Sequence, residues 1–116
     1  MSGDAKSCNA VFTSKNSEII TNNGDSFYVT NTLAIINLEN NQITNNGAEG
    51  NFLRIKADFW GNTGSNGANV TLNMIIQNAE ENIVVDNIST LQMTLKNTSY
   101  FEGIINGNNE AKSISL

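Results

Sequence analysis

The chain has 116 residues, with 6 basic against 11 acidic side chains and a formal net charge of −5. That length supports one domain with a modest core, and the acidic balance removes the counterion-release term that drives nucleic-acid binding. Histidine is absent, which excludes Ser-His-Asp and Cys-His catalysis and any His-ligated metal.

Residues 1–9 show no period and read as an irregular entry segment. Cys8 is the only cysteine, so no internal disulfide forms. It reads as a small residue of the first turn or of a frayed terminus; the sharper alternative is an exposed thiol that links two chains. Met1 to Ala10 is too polar for a secretory signal. No apolar run approaches the ~20 residues of a membrane span.

From Ala10 onward apolar and small polar residues alternate. Strands send successive side chains to opposite faces, so each such run has an inner and an outer side. The first coil opens at Ala10-Val11-Phe12-Thr13-Ser14 and reaches a second strand at Ser26-Phe27-Tyr28-Val29. The next opens at Leu33-Ala34-Ile35-Ile36-Asn37-Leu38, with Phe52-Leu53-Arg54-Ile55-Lys56 as its strand partner. Ile-Thr-Asn-Asn-Gly occurs at both Ile20 and Ile43, 23 residues apart. Asn-Asn-Gly suits a corner, because Gly takes positive φ freely and Asn tolerates the left-handed region. Asparagine supplies 22 of the residues. Stacked coils would set equivalent amides about 4.8 Å apart, close enough to bond in a ladder. The expected pairs are Asn22 over Asn45, Asn23 over Asn46 and Asn87 over Asn108.

Residues 58–69 break the period. The stretch is too rich in glycine for a strand and reads as a loop inserted into one coil. It carries Trp60, the single tryptophan, between Asp58 and Asn62. An exposed aromatic flanked by carboxyl and amide groups suits stacking on a sugar ring and bonding its hydroxyls. The plainer reading folds Trp60 back over the coil, as large aromatics usually do.

Three strands then recur at a spacing of 21, beginning at Val70, Leu91 and Lys112. Leu72, Met93 and Ile114 share one face, as do Met74, Leu95 and Leu116. The same spacing sets Glu102 over Glu81 and Ile104 over Ile83. With Asp86 nearby, the two glutamates form a candidate cation site, and Ca²⁺ is the ion that takes six to eight oxygens. The plainer reading lets both glutamates splay into water. A strand repeat near 20 residues indicates a solenoid. The expected fold is all-β, a right-handed parallel β-helix (β-solenoid) of about five coils of 21–24 residues, spanning residues 10–116.

Three runs carry a family resemblance: Gly24 through Thr32, Ile35 through Ile43, and Trp60 through Gly67. Each resembles bacterial right-handed parallel β-helix proteins of the cell surface or secreted space, many of them described only as hypothetical proteins or as candidate carbohydrate binders. The resemblance implies an extracellular or cell-surface location, although no export signal is present in this chain. Pectate lyases, polygalacturonases, tailspikes and adhesins share the fold, so fold analogy does not choose among them.

Arg54, Lys56 and Asp58 alternate along one strand and face one way, which makes them the weak candidates for a polysaccharide lyase. Glu81 and Glu102 are the corresponding pair for a hydrolase. No catalytic residue is assigned. The leading expectation is a non-enzymatic structural or adhesive module that contacts a polysaccharide or cell-surface glycan. The alternatives are a carbohydrate-active enzyme and a purely structural module that self-associates through its uncapped coil ends.

Overall fold

A computed structural model describes residues 9–48, 50–57, 67–106, 111 and 113–116. Among them there are twelve strands and no helix. The first coil holds β1 (Asn9–Lys15), β2 (Glu18–Thr21) and β3 (Phe27–Thr30). The second holds β4 (Leu33–Glu39), β5 (Gln42–Asn45) and β6 (Leu53–Lys56), and the third β7 (Asn69–Ile75), β8 (Asn78–Glu80) and β9 (Ile83–Val85). The fourth holds β10 (Thr90–Lys96) and β11 (Tyr100–Glu102), and β12 (Ser113–Ser115) opens a fifth.

Every pairing is parallel and joins equivalent strands of successive coils. The largest sheet runs β1-β4-β7-β10-β12, and a three-stranded sheet runs β3-β6-β9. Two-stranded sheets β2-β5 and β8-β11 form the remaining side. The chain is therefore a parallel β-solenoid of about four turns. Among the described residues no coil's strands pair with one another, so each coil's strands pair with those of its neighbours.

Alternation fixes which side faces in. Along β7 the burial alternates strictly, with Val70, Leu72 and Met74 at 2% exposure or less. Ile36, Leu38, Leu53, Ile55, Ile83 and Val85 join them in one continuous core. A chain of rings runs through it. Phe12 meets Phe27 at 5.4 Å between centroids, Phe27 meets Phe52 at 5.7 Å, and Phe52 meets Phe101 at 6.0 Å.

The corner after the largest sheet is built from left-handed residues. Asn16, Asn40, Ile76 and Asn97 occupy it in successive coils, with φ of 55°, 51°, 48° and 53°. Below it a buried polar ladder replaces apolar packing. Gln77, 1% exposed, accepts from Asn41 N–H at 2.7 Å and Asn41 Nδ2 at 3.0 Å, and donates through Nε2 to the carbonyls of Asn41 and Asn78. Asn41 in turn bonds Ser14 Oγ and the Ser14 carbonyl, both at 2.9 Å.

Three registers differ from the sequence expectation. Ile19 pairs with Ile43 and Thr21 with Asn45, a step of 24 rather than 23. Burial decides this: Ile19 and Ile43 pack on the core, whereas Ile20 is 54% exposed. Asn46 Nδ2 consequently donates to Asn22 Oδ1 at 3.1 Å, so Asn22 stands under Asn46 and not Asn45. Glu102 stands on Glu80 and not Glu81, because β8 and β11 pair at a step of 22. The extra residue is in the fourth coil's corner, where Thr98 follows Asn97 into the left-handed region with φ of 67°. Ile83 accordingly bridges Ile105, not Ile104. Last, Ile114 pairs with Leu91, two positions from Met93. Leu95 is therefore left 38% exposed and Leu116 79%.

Candidate functional site

Two residues separate Thr30 from Leu33 and four separate Val85 from Thr90, but twelve separate Lys56 from Asn69. The second coil thus carries an insertion at a corner its neighbours cross directly. Its re-entry is earlier than the expected end at residue 69: Ala68 is fully buried and Asn69 already belongs to β7.

Both ends of this insertion are tied to one turn of the next coil, residues 86–89. On the outgoing side Ala57 N–H donates to Asp86 Oδ2 at 2.7 Å. On the return, Ala68 N–H donates to the buried Ser89 Oγ at 3.0 Å, and Thr90 N–H donates to the Ala68 carbonyl at 2.9 Å. The turn holds itself together through Ser89 N–H to the Asp86 carbonyl and Ile88 N–H to Asp86 Oδ1, both at 3.3 Å. Asp86 N–H donates to the Ile55 carbonyl at 3.0 Å, fixing the turn to β6. Gly67 lies so close that a Cβ there would overlap the Ile88 carbonyl. Only glycine passes this point without displacing backbone.

Two hollows flank the base. One, of about 600 Å³, lies on the outer face of the three-stranded sheet and is lined by Asn51, Arg54, Lys56, Ala57, Val84 and Asp86. Arg54 and Lys56 do share that outer face, since Leu53 and Ile55, which alternate with them along β6, are fully buried. Arg54 is fixed there: its Nε lies 2.8 Å from Asp25 Oδ2, and its guanidinium carbon lies 5.4 Å from the Tyr28 ring centroid. The Asp25 side chain is only 6% exposed, and its other oxygen accepts from Asn51 N–H at 3.0 Å and Asn51 Nδ2 at 2.9 Å. The second hollow, of about 570 Å³, lies along the outer face of the largest sheet. Leu33 and Ile35 line one part, and Asn69, Thr71, Thr90 and Gln92 another. None of its described lining residues is ionisable.

Asp58, Trp60 and Asn62, the expected glycan contacts, lie outside the described residues, as do Cys8 and Asn108. Glu81, Glu102 and Asp86 are not brought together. Glu81 turns the corner after β8 with φ of 81°, and Asp86 has both oxygens engaged by backbone N–H groups. Among the described residues no group of three or more acidic or thiol side chains converges on a point. Asn45 bonds both across coils and within its own corner: Nδ2 donates to the first coil's Gly24 carbonyl at 3.0 Å and Ser26 Oγ at 3.1 Å, while Oδ1 accepts from Gly47 N–H at 2.9 Å. Asn23 and Asn87 are exposed, the latter at the tip of the 86–89 turn. Amide rungs do form, at Asn46 to Asn22 with the shifted partner and also where none was expected, Asn40 to Asn16 at 2.8 Å and Asn73 to Asn37 at 3.0 Å.

Sequence reasoning did not find the clasp of Asp86, Ser89 and Gly67, or Asp25 behind Arg54. The contacts join residues 21 to 29 apart on different coils. The available signal was the Asp-Asn-Ile-Ser turn following the Ile83 strand. No family model, curated protein or solved structure matches the chain.

Proposed function

We propose that this chain is a non-enzymatic β-solenoid module of a bacterial surface or secreted protein, which presents residues 58–66 for adhesive contact with a glycan. The observation that carries the reading is the clasp. One turn of the third coil fixes both ends of the insertion, so ordering entropy at its base is already spent before any ligand arrives. The insertion's composition, with Trp60 between Asp58 and Asn62, suits sugar stacking and hydroxyl bonding. The hollow beside Asn69 adds amides and hydroxyls at about one strand spacing, near the length of one sugar unit.

A lyase or hydrolase would draw on Arg54, Lys56 and the nearby carboxylates. Arg54 Nε is committed to Asp25, and the Asp86 oxygens are committed to Ala57 and Ile88. Those commitments favour binding over proton transfer. Tryptophan fluorescence tests the proposal, because Trp60 is the only reporter. Titration with a panel of bacterial, plant and host polysaccharides is expected to give a saturable change with at least one, and Asp58→Ala with Asn62→Ala is expected to weaken it. Release of reducing ends from that polysaccharide would replace the binding reading with the enzymatic one. A flat response to the whole panel would remove glycan contact and leave a structural module.

A further inference from the structure

The sequence contains four Asn-Gly pairs, at Asn23, Asn46, Asn66 and Asn106. Such pairs are chemically labile, because a glycine nitrogen reaches the preceding side-chain amide without obstruction from a Cβ. Two of the four share nearly the same local sequence, Asn22-Asn23-Gly24 and Asn45-Asn46-Gly47, but the fold treats them differently. At the second, Asn46 Nδ2 donates to Asn22 Oδ1 at 3.1 Å, and Gly47 N–H, the attacking group, donates to Asn45 Oδ1 at 2.9 Å. At the first, Asn23 is exposed and its side chain has no hydrogen-bond partner among the described residues. Gly24 N–H likewise donates to none of them, and a Cβ built on Gly24 would meet nothing within 4 Å. Asn106 is restrained by Ala111 N–H, which donates to its Oδ1 at 3.2 Å.

We propose that Asn23 is a site of spontaneous deamidation, selected over Asn46 by the amide bonds that the coil stack gives one corner and withholds from the other. Gly24 nitrogen, losing its proton, attacks the Asn23 side-chain carbonyl carbon. The side-chain nitrogen leaves as ammonia, and a five-membered cyclic imide closes. Water then opens the imide at one carbonyl or the other, giving aspartate or isoaspartate with no oxidant or cofactor. Either product adds one negative charge beside Asp25. Isoaspartate also lengthens the main chain by one methylene, which displaces the Gly24 carbonyl from Asn45 Nδ2, 3.0 Å away.

The test is incubation of the folded full chain at mildly alkaline pH, followed by peptide mass analysis and isoaspartate detection at each pair. Asn23 is expected to convert several-fold faster than Asn46 in the folded protein. In concentrated urea the two are expected to convert at similar rates, because their local sequences match. Asn45→Ala, which frees Gly47 N–H, is expected to accelerate Asn46. Equal rates in the folded chain, faster conversion at Asn46, or no conversion at Asn23 would each overturn the proposal. If Asn45→Ala fails to fold, the folded-to-urea comparison on the unaltered chain decides alone.

Discussion

A solenoid corner asks the same backbone conformation of one residue in every coil, and here that conformation is left-handed. Asn16, Asn40 and Asn97 meet it with a side chain that tolerates positive φ, but the third coil uses Ile76 at φ of 48°. A β-branched residue is poorly suited to that region, and Ile76 recovers little by burial, being 53% exposed. Ile76→Asn should therefore stabilise the fold by about 1 kcal/mol, from the left-handed penalty alone. The denaturant midpoint should rise with an unchanged slope. Ile76→Val keeps the branching and should give no gain; an equal gain there would assign the effect to lost surface hydrophobicity instead.

At the scale of the strand, packing depth governs energy. Phe52 is 1% exposed and touches rings on both sides, at 5.7 Å to Phe27 and 6.0 Å to Phe101. Phe12 points to the same interior but is 37% exposed, because β1 is an edge strand. Phe52→Ala should destabilise by about 3–5 kcal/mol, as full removal of a core ring does. Phe12→Ala should lose roughly 1–2 kcal/mol, in proportion to its smaller buried area. Urea unfolding of both variants measures the contrast, and equal losses would mean that the first coil is as well covered as the second. The strands themselves were legible in the sequence, because alternation of Leu72, Met74, Leu91 and Met93 depends only on the period of two. Register between coils was less legible. The repeated Ile-Thr-Asn-Asn-Gly suggested a step of 23, yet residue identity carries no energy by itself; burying Ile19 with Ile43 does, and it selects 24. A single extra corner residue, Thr98, moved Glu102 from Glu81 to Glu80 in the same way.

For the molecule as a whole, a stack whose strand pairing joins successive coils tolerates insertions where the chain turns between sheets. The second coil uses that tolerance, and the third supplies the support through Asp86 and Ser89. The insertion was legible from its glycines and its broken period. Its support was not, because a carboxylate and a hydroxyl on another coil, with a glycine at the insertion's own return, form no pattern along the chain. On the proposed reading, the scaffold stands without residues 58–66. Ala57 and Ala68 are bonded to residues of one turn, so joining Ala57 directly to Gly67 removes 58–66 while keeping both bonds within reach. Shortening a loop changes closure entropy only slowly, by about 0.6 kcal/mol per halving. The shortened chain should therefore keep its far-ultraviolet β spectrum and melt within a few degrees of the parent, while losing retention on the polysaccharide that the full chain binds. Loss of the fold on this deletion would show that residues 58–66 complete the core. Unchanged polysaccharide retention by a folded deletion variant would move the contact to the hollow along the largest sheet, where Asn69 pairs with Thr90 and Thr71 with Gln92 on adjacent strands.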